Sequence, residues 1–126
     1  MVSSYEELQE NLEQHYCSEK FYRVNPYIST VITEGVKYLC DKGSCYWLID
    51  HILFNGGYEL SKSYGFLIIY ITVNKRGTCN IVIKEDSGED MPVLLNKKVK
   101  DICKLIPSGE YKLYFIDNVI LLPSEY

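Results

Sequence analysis

The sequence predicts a single α+β domain over residues 1–126, with N-terminal helices packed on an antiparallel β-meander of about four to five strands. Three observations carry that expectation. Apolar residues recur every three to four positions through residue 54, and every second position after residue 65. The strong breakers, Asn55-Gly56-Gly57 and Pro107-Ser108-Gly109, fall between periodic segments rather than inside them. A chain of 126 residues with 47% hydrophobic content can build one core without disulfide or metal staples.

Ser3 and Ser4 precede Glu6 and Glu7 at capping-box spacing, so a first helix should begin near Tyr5, with Leu8 and Leu12 on its buried stripe. Phe21 to Val24 is too short to assign, and Asn25-Pro26 breaks regularity because the residue before proline avoids the helical region. Thr33 is the expected N-cap of a second helix that carries Val36, Leu39 and Cys40 and stops at Gly43 in a left-handed conformation. Ser44 should cap a third, with Trp47, Leu48, Ile52 and Leu53 inside and Asn55-Gly56-Gly57 at its end. Strands are expected over Gly65–Asn74, Thr78–Glu85 and Val93–Val99, then Tyr111–Ile116 and Val119–Leu122 around Asp117-Asn118, a pair suited to a type I′ turn. Lys100 to Ile106 fits either a strand extension or a short helix.

Net charge is −4, which disfavours non-specific attachment to nucleic-acid backbones. No apolar run approaches the roughly 20 residues of a membrane span. The acidic start Met-Val-Ser-Ser-Tyr-Glu-Glu does not resemble a signal peptide, so the expected location is the cytoplasm. The five cysteines, Cys17, Cys40, Cys45, Cys79 and Cys103, are odd in number and read as reduced thiols. Twelve tyrosines are the compositional oddity, and tyrosine suits half-wet contact surfaces because a polar tip ends a large apolar ring.

Four segments, Phe21-Tyr22, Thr33 to Leu39, Tyr46-Trp47-Leu48-Ile49-Asp50 and Leu122-Pro123-Ser124-Glu125-Tyr126, stand in an order that resembles a family of small proteins of unknown function from bacteria, phages and plasmids. The chain departs from that family at Cys40 to Cys45, where an alanine-rich junction is expected. The resemblance implies a mobile-element setting and no catalytic or binding residue. An inhibitor of a host defence complex, such as an anti-CRISPR protein, is one form it suggests.

Asp50 and His51 beside Trp47, with Cys45 or Cys40 as nucleophile, are the candidate catalytic set. Adjacent helical residues diverge by about 100°, which works against an Asp50–His51 pair. His15, Cys17, Cys40, Cys45 and His51 lack zinc-ligand spacing, and Gly56-Gly57 lacks the Lys-Ser/Thr of a phosphate loop. No metal or cofactor is therefore expected. The strand faces are more informative. Leu67, Ile69, Ile71 and Val73 lie on one side of their strand, and Phe66, Ile68, Tyr70 and Thr72 on the other, so both faces carry apolar groups. Either a helix or loop covers the second face, or it meets a partner or a second copy.

The reading that follows is a non-enzymatic macromolecule-binding protein, with Tyr70, Tyr114, Phe66 and Ile68 as partner contacts. The acidic residues Glu85, Asp86, Glu89 and Asp90 would engage a basic groove on a protein partner. A small enzyme using Asp50, His51 and a cysteine is the alternative. A direct nucleic-acid binder using Lys97, Lys98, Lys100 and Lys104 is the other, disfavoured by the charge. Thiol titration of protein denatured under non-reducing conditions should find all five cysteines free. Two or more protected thiols without bound metal would contradict the reduced assignment.

Overall fold

A computed structural model describes residues 5–13, 20–23, 25–43, 45–75, 78–85, 92–99 and 107–126. In chain order the elements are α1 (Tyr5–Glu13), β1 (Phe21–Arg23), β2 (Val31–Thr33), α2 (Glu34–Gly43), α3 (Tyr46–Ile52), α4 (Tyr58–Ser63), β3 (Phe66–Val73), β4 (Cys79–Lys84), β5 (Val93–Val99), β6 (Gly109–Ile116) and β7 (Val119–Leu121). A 3₁₀ turn, Pro123–Glu125, follows β7. The strands form one mixed seven-stranded sheet in the order β1-β2-β7-β6-β3-β4-β5.

The fold is α+β, but the expected meander of four to five strands is corrected to seven in a mixed sheet. The two added strands, β1 and β2, are three residues each, too short to display a period of two. They also precede α2, so the helices are not gathered at the N-terminus. β2 runs parallel to β7, pairing Val31 with Val119 and Ile32 with Ile120, a long-range contact that no local pattern announces. Every other pairing is antiparallel.

Strand parity separates two environments. Leu67, Ile69, Ile71 and Val73 share a face with Cys79, Ile81, Ile83, Tyr111, Leu113 and Phe115. That face is buried together with Leu8, Leu12, Val36, Leu39, Leu48, Ile49, Ile52 and Leu53, so α1, α2 and α3 pack on it, and α4 adds only the partly buried Tyr58 and Leu60. Phe66, Ile68, Tyr70 and Thr72 point to the opposite side, where no described helix lies.

Asp117 and Asn118 take φ of 49° and 65°, the left-handed pair of the expected type I′ turn. Asn118 does more than turn the chain. Its backbone oxygen accepts from Val31 N at 3.1 Å, its Oδ1 accepts from Thr30 Oγ1 at 2.5 Å, and its Nδ2 donates to Ser29 Oγ at 2.8 Å. The β6–β7 hairpin is thereby bolted to the entry of β2.

The helical layer departs from expectation at three points. Cys45, not Ser44, holds the N-cap position of α3, without a side-chain cap; Ser44 lies outside the described residues. Asn55-Gly56-Gly57 does not end the helical run. Gly56 adopts φ +126°, a kink that only glycine enters cheaply, and α4 begins directly after it. On α3, Ile49 joins the core while Trp47 is only half-buried. The span 100–106 and the loop residues 86–90 lie outside the described residues.

The N-terminus of α2 is closed from the far end of the chain. Thr33 Oγ1 accepts from Val36 N at 3.4 Å, the expected cap, and donates to Glu125 Oε1 at 2.5 Å. Glu125 Oε2 accepts from Gly35 N at 3.2 Å, and Oε1 also accepts from Leu122 N at 3.0 Å. A carboxylate at a helix N-terminus meets unpaired N–H groups and the positive end of the helix dipole. Gly35 is obligatory here for space: a Cβ would lie 2.6 Å from Glu125 Oε1 and overlap Leu122 Cδ1.

Glu125→Ala should leave the Thr33 hydroxyl and the Gly35 N–H unpaired in a buried site, costing about 2–3 kcal/mol and lowering the melting temperature by about 10 °C. Glu125→Gln should cost less, because one oxygen remains as acceptor while its amide group opposes an N–H or O–H donor. Thermal unfolding followed by circular dichroism reads both; an unchanged midpoint for Glu125→Ala would remove the cap from the account of stability.

Candidate functional site

The open face of the sheet is built by parity. β3 contributes Phe66, Ile68, Tyr70 and Thr72; β6 contributes Glu110, Lys112, Tyr114 and Ile116 from the paired register. Val82 and Lys84 of β4 stand opposite Tyr70 and Ile68, and Lys98 of β5 stands opposite Asn80. The 3₁₀ turn then returns the C-terminal Tyr126 across this face.

Three rings form its centre. Phe66 and Tyr114 are 5.1 Å apart, Phe66 and Tyr126 5.6 Å, and Tyr114 and Tyr126 5.5 Å, with the two Tyr126 pairs edge-to-face. Such pairs add about 0.5–1.5 kcal/mol each beyond area burial and hold the rings in place. Ile68, on the same face, is only 2% exposed and lies outside the main core cluster. Phe66, Tyr70 and Tyr114 are half-buried, and Tyr126 is 71% exposed.

Lysines interleave with the rings. Lys84 and Lys112, from the strands on either side of β3, approach the Tyr70 centroid at 6.0 and 5.9 Å. Lys112 also lies 5.4 Å from the Tyr114 centroid. An ammonium at this range is attracted by the negative ring face. At the outer edge of the face Phe21 is 54% exposed beside Val31 and Thr33.

Of the expected acidic contacts, Glu85 is exposed at the end of β4, while Asp86, Glu89 and Asp90 lie outside the described residues. Lys97 and Lys98 are successive strand residues and point to opposite faces; Lys100 and Lys104 lie outside the described residues.

The candidate catalytic set is divided. Asp50 and His51 line a shallow hollow with Trp47, Phe54 and Asn55. Asn25 Nδ2 donates to Asp50 Oδ1 at 3.5 Å, and Asn55 Nδ2 donates to the His51 carbonyl at 2.8 Å. Cys45 is 1% exposed, and its thiol donates to the Leu39 carbonyl at 3.7 Å inside the core. The neighbouring Cys40 thiol is pushed well above the ordinary range, first by its hydrogen bond with Cys45 and then by burial, so it stays protonated and is a poor nucleophile. Cys40, Cys45 and Cys79 are buried; His15, Cys17 and Cys103 lie outside the described residues. Among the described residues no group of three or more His, Cys, Asp or Glu is placed to hold a metal, and no helix is long and apolar enough to cross a membrane.

Sequence reasoning missed Lys84, Lys112 and Tyr126. Lys112 was legible, since it shares strand parity with Tyr114. Tyr126 was not, because its position depends on a turn fixed by the buried Glu125. Two of the four segments of the family resemblance also acquire a physical relation: Thr33 and Gly35 of the second meet Leu122 and Glu125 of the last.

No curated protein and no solved structure matches the chain. A family profile matches residues 6–126, and the protein belongs to that family, one of unknown function designated DUF6876.

Proposed function

We propose that this protein is a non-enzymatic macromolecule-binding domain whose contact surface is the open, tyrosine-rich face of the sheet. The observation that carries the reading is the Phe66–Tyr114–Tyr126 cluster on the side away from the helices. A sheet face without a covering layer normally turns polar. Here it keeps three packed rings and a string of apolar neighbours, Val82, Ile116, Val119 and Leu121, all half-buried. Rigid aromatics with two side-chain torsions lose little conformational freedom on contact, which makes them effective anchors.

The enzyme alternative has weaker support, because its thiol is turned into the core while Asp50 and His51 line a hollow on the other side of the helix. The narrower form, an inhibitor of a host defence complex, rests on the resemblance alone.

Immobilised protein should retain a macromolecule from a lysate of the natural host. Tyr70→Ala with Tyr114→Ala should weaken retention by about 2 kcal/mol or more if these rings are hot spots, with a modest change in unfolding midpoint. Phe54→Ala, on the helical layer, should have no effect on retention. A core aromatic would instead cost about 3–5 kcal/mol of stability; strong destabilisation with unchanged retention would sink the proposal.

A further inference from the structure

We infer that the open face binds single-stranded nucleic acid, an inference that rests on this face being the contact surface. Net charge alone argued against such a ligand, but the charge is not evenly placed. Glu6, Glu7, Glu10, Asp41 and Glu59 all lie on the helices, in the other layer. The open face carries Lys84, Lys98 and Lys112, while Arg23, of the same parity, is held by the Asn25, Pro26 and Ile28 carbonyls. The acids at its borders are Glu110 at the end of β6 and, beside Tyr126, Asp117 and the hydrogen-bonded Glu125. A protein of net charge −4 thus presents a locally basic sheet.

The spacing of charge and ring selects the ligand. Lys112 stands between Tyr70 and Tyr114, 5.9 and 5.4 Å from their centroids, and Lys84 stands on the other side of Tyr70. Each nucleotide of a single strand supplies one phosphate for an ammonium and one planar base for a ring. An acidic peptide would satisfy the lysines and leave the rings without flat partners. A second copy docked face to face would oppose the same lysines. Tyr114, Tyr70, Lys84 and Lys98 lie on four successive strands, about 15 Å across at about 4.8 Å per strand. That span suits the two or three bases that a four-stranded sheet platform stacks. Recognition would be sequence-tolerant, because every base has a stacking face.

The test is fluorescence anisotropy with 5′-fluorescein-labelled dT20, U20 and a duplex of about the same length. The wild type should bind both single strands and prefer them to the duplex. With Lys84, Lys98 and Lys112 each neutralising a phosphate, log K should fall against log salt with a slope of about −2. Lys112→Ala should reduce that slope by about 0.7. Tyr114→Ala should weaken binding about tenfold or more. Tyr126→Ala, at a position 71% exposed, should weaken it in the same direction in variants that circular dichroism shows to be folded. Lys62→Ala, which removes a similar lysine–tyrosine contact from the helical layer, should leave binding unchanged. Absence of binding at low salt, equal affinity for duplex, or indifference to both tyrosine changes in folded variants would overturn the inference. If oligonucleotides fail while Tyr114-dependent retention of a host protein persists, the single-strand ligand is refuted and the contact surface stands. If both fail, both readings fall.

Discussion

One buried carboxylate joins the two ends of this fold. Glu125 is 8% exposed and accepts from Thr33, Gly35 and Leu122, so the C-terminal turn, the end of β2 and the start of α2 meet at a single side chain. Burial of such a group is tolerated only when its oxygens are satisfied, and here the donors are the Thr33 cap hydroxyl, the Gly35 N–H of the first turn of α2 and the Leu122 N–H of the C-terminal turn. The parallel pairing of β2 with β7 places those donors next to the turn. Without that pairing, the carboxylate would lie far from α2, and the helix would begin with Thr33 as its sole cap.

The same junction positions the surface. Residues 122–126 alternate inward and outward roles: Leu122 is buried against Gly35, Pro123 starts the 3₁₀ turn, Glu125 points into the cap, and Tyr126 emerges on the open face. Pinning Glu125 therefore fixes where Tyr126 can reach. The third ring of the aromatic cluster is held by packing on Phe66 and Tyr114 and by the carboxylate one residue earlier in the chain.

Much of this was legible in the sequence where the signal is local. The change of period after residue 65 located β3 and β4, parity divided Leu67, Ile69 and Ile71 from Phe66, Ile68 and Tyr70, and Asp117-Asn118 identified the last hairpin. What escaped was non-local or too short. β1 and β2 gain their strand conformation from partners rather than from pattern, and the kink at Gly56 looked like a helix end because positive φ serves both purposes. The catalytic candidates are set apart in space for a related reason. Proximity in sequence placed Cys45 near Asp50, whereas the turn into α3 sends the thiol inward.

Charge illustrates the limit most sharply. Composition reports only a sum, and a sum of −4 predicts repulsion from any polyanion. The fold distributes that sum unequally, because amphipathic helices place their acids on the outer surface of one layer while strand parity sends Lys84, Lys98 and Lys112 to the other. At an ionic strength near 0.15 M, screening acts over about 8 Å. Stacked layers of secondary structure sit about 10 Å apart. A ligand on the open face would therefore be governed mainly by the lysines beside it, and the helical carboxylates beyond the sheet would contribute a weaker, salt-dependent opposition. The local field, and not the net charge, decides what this face can hold.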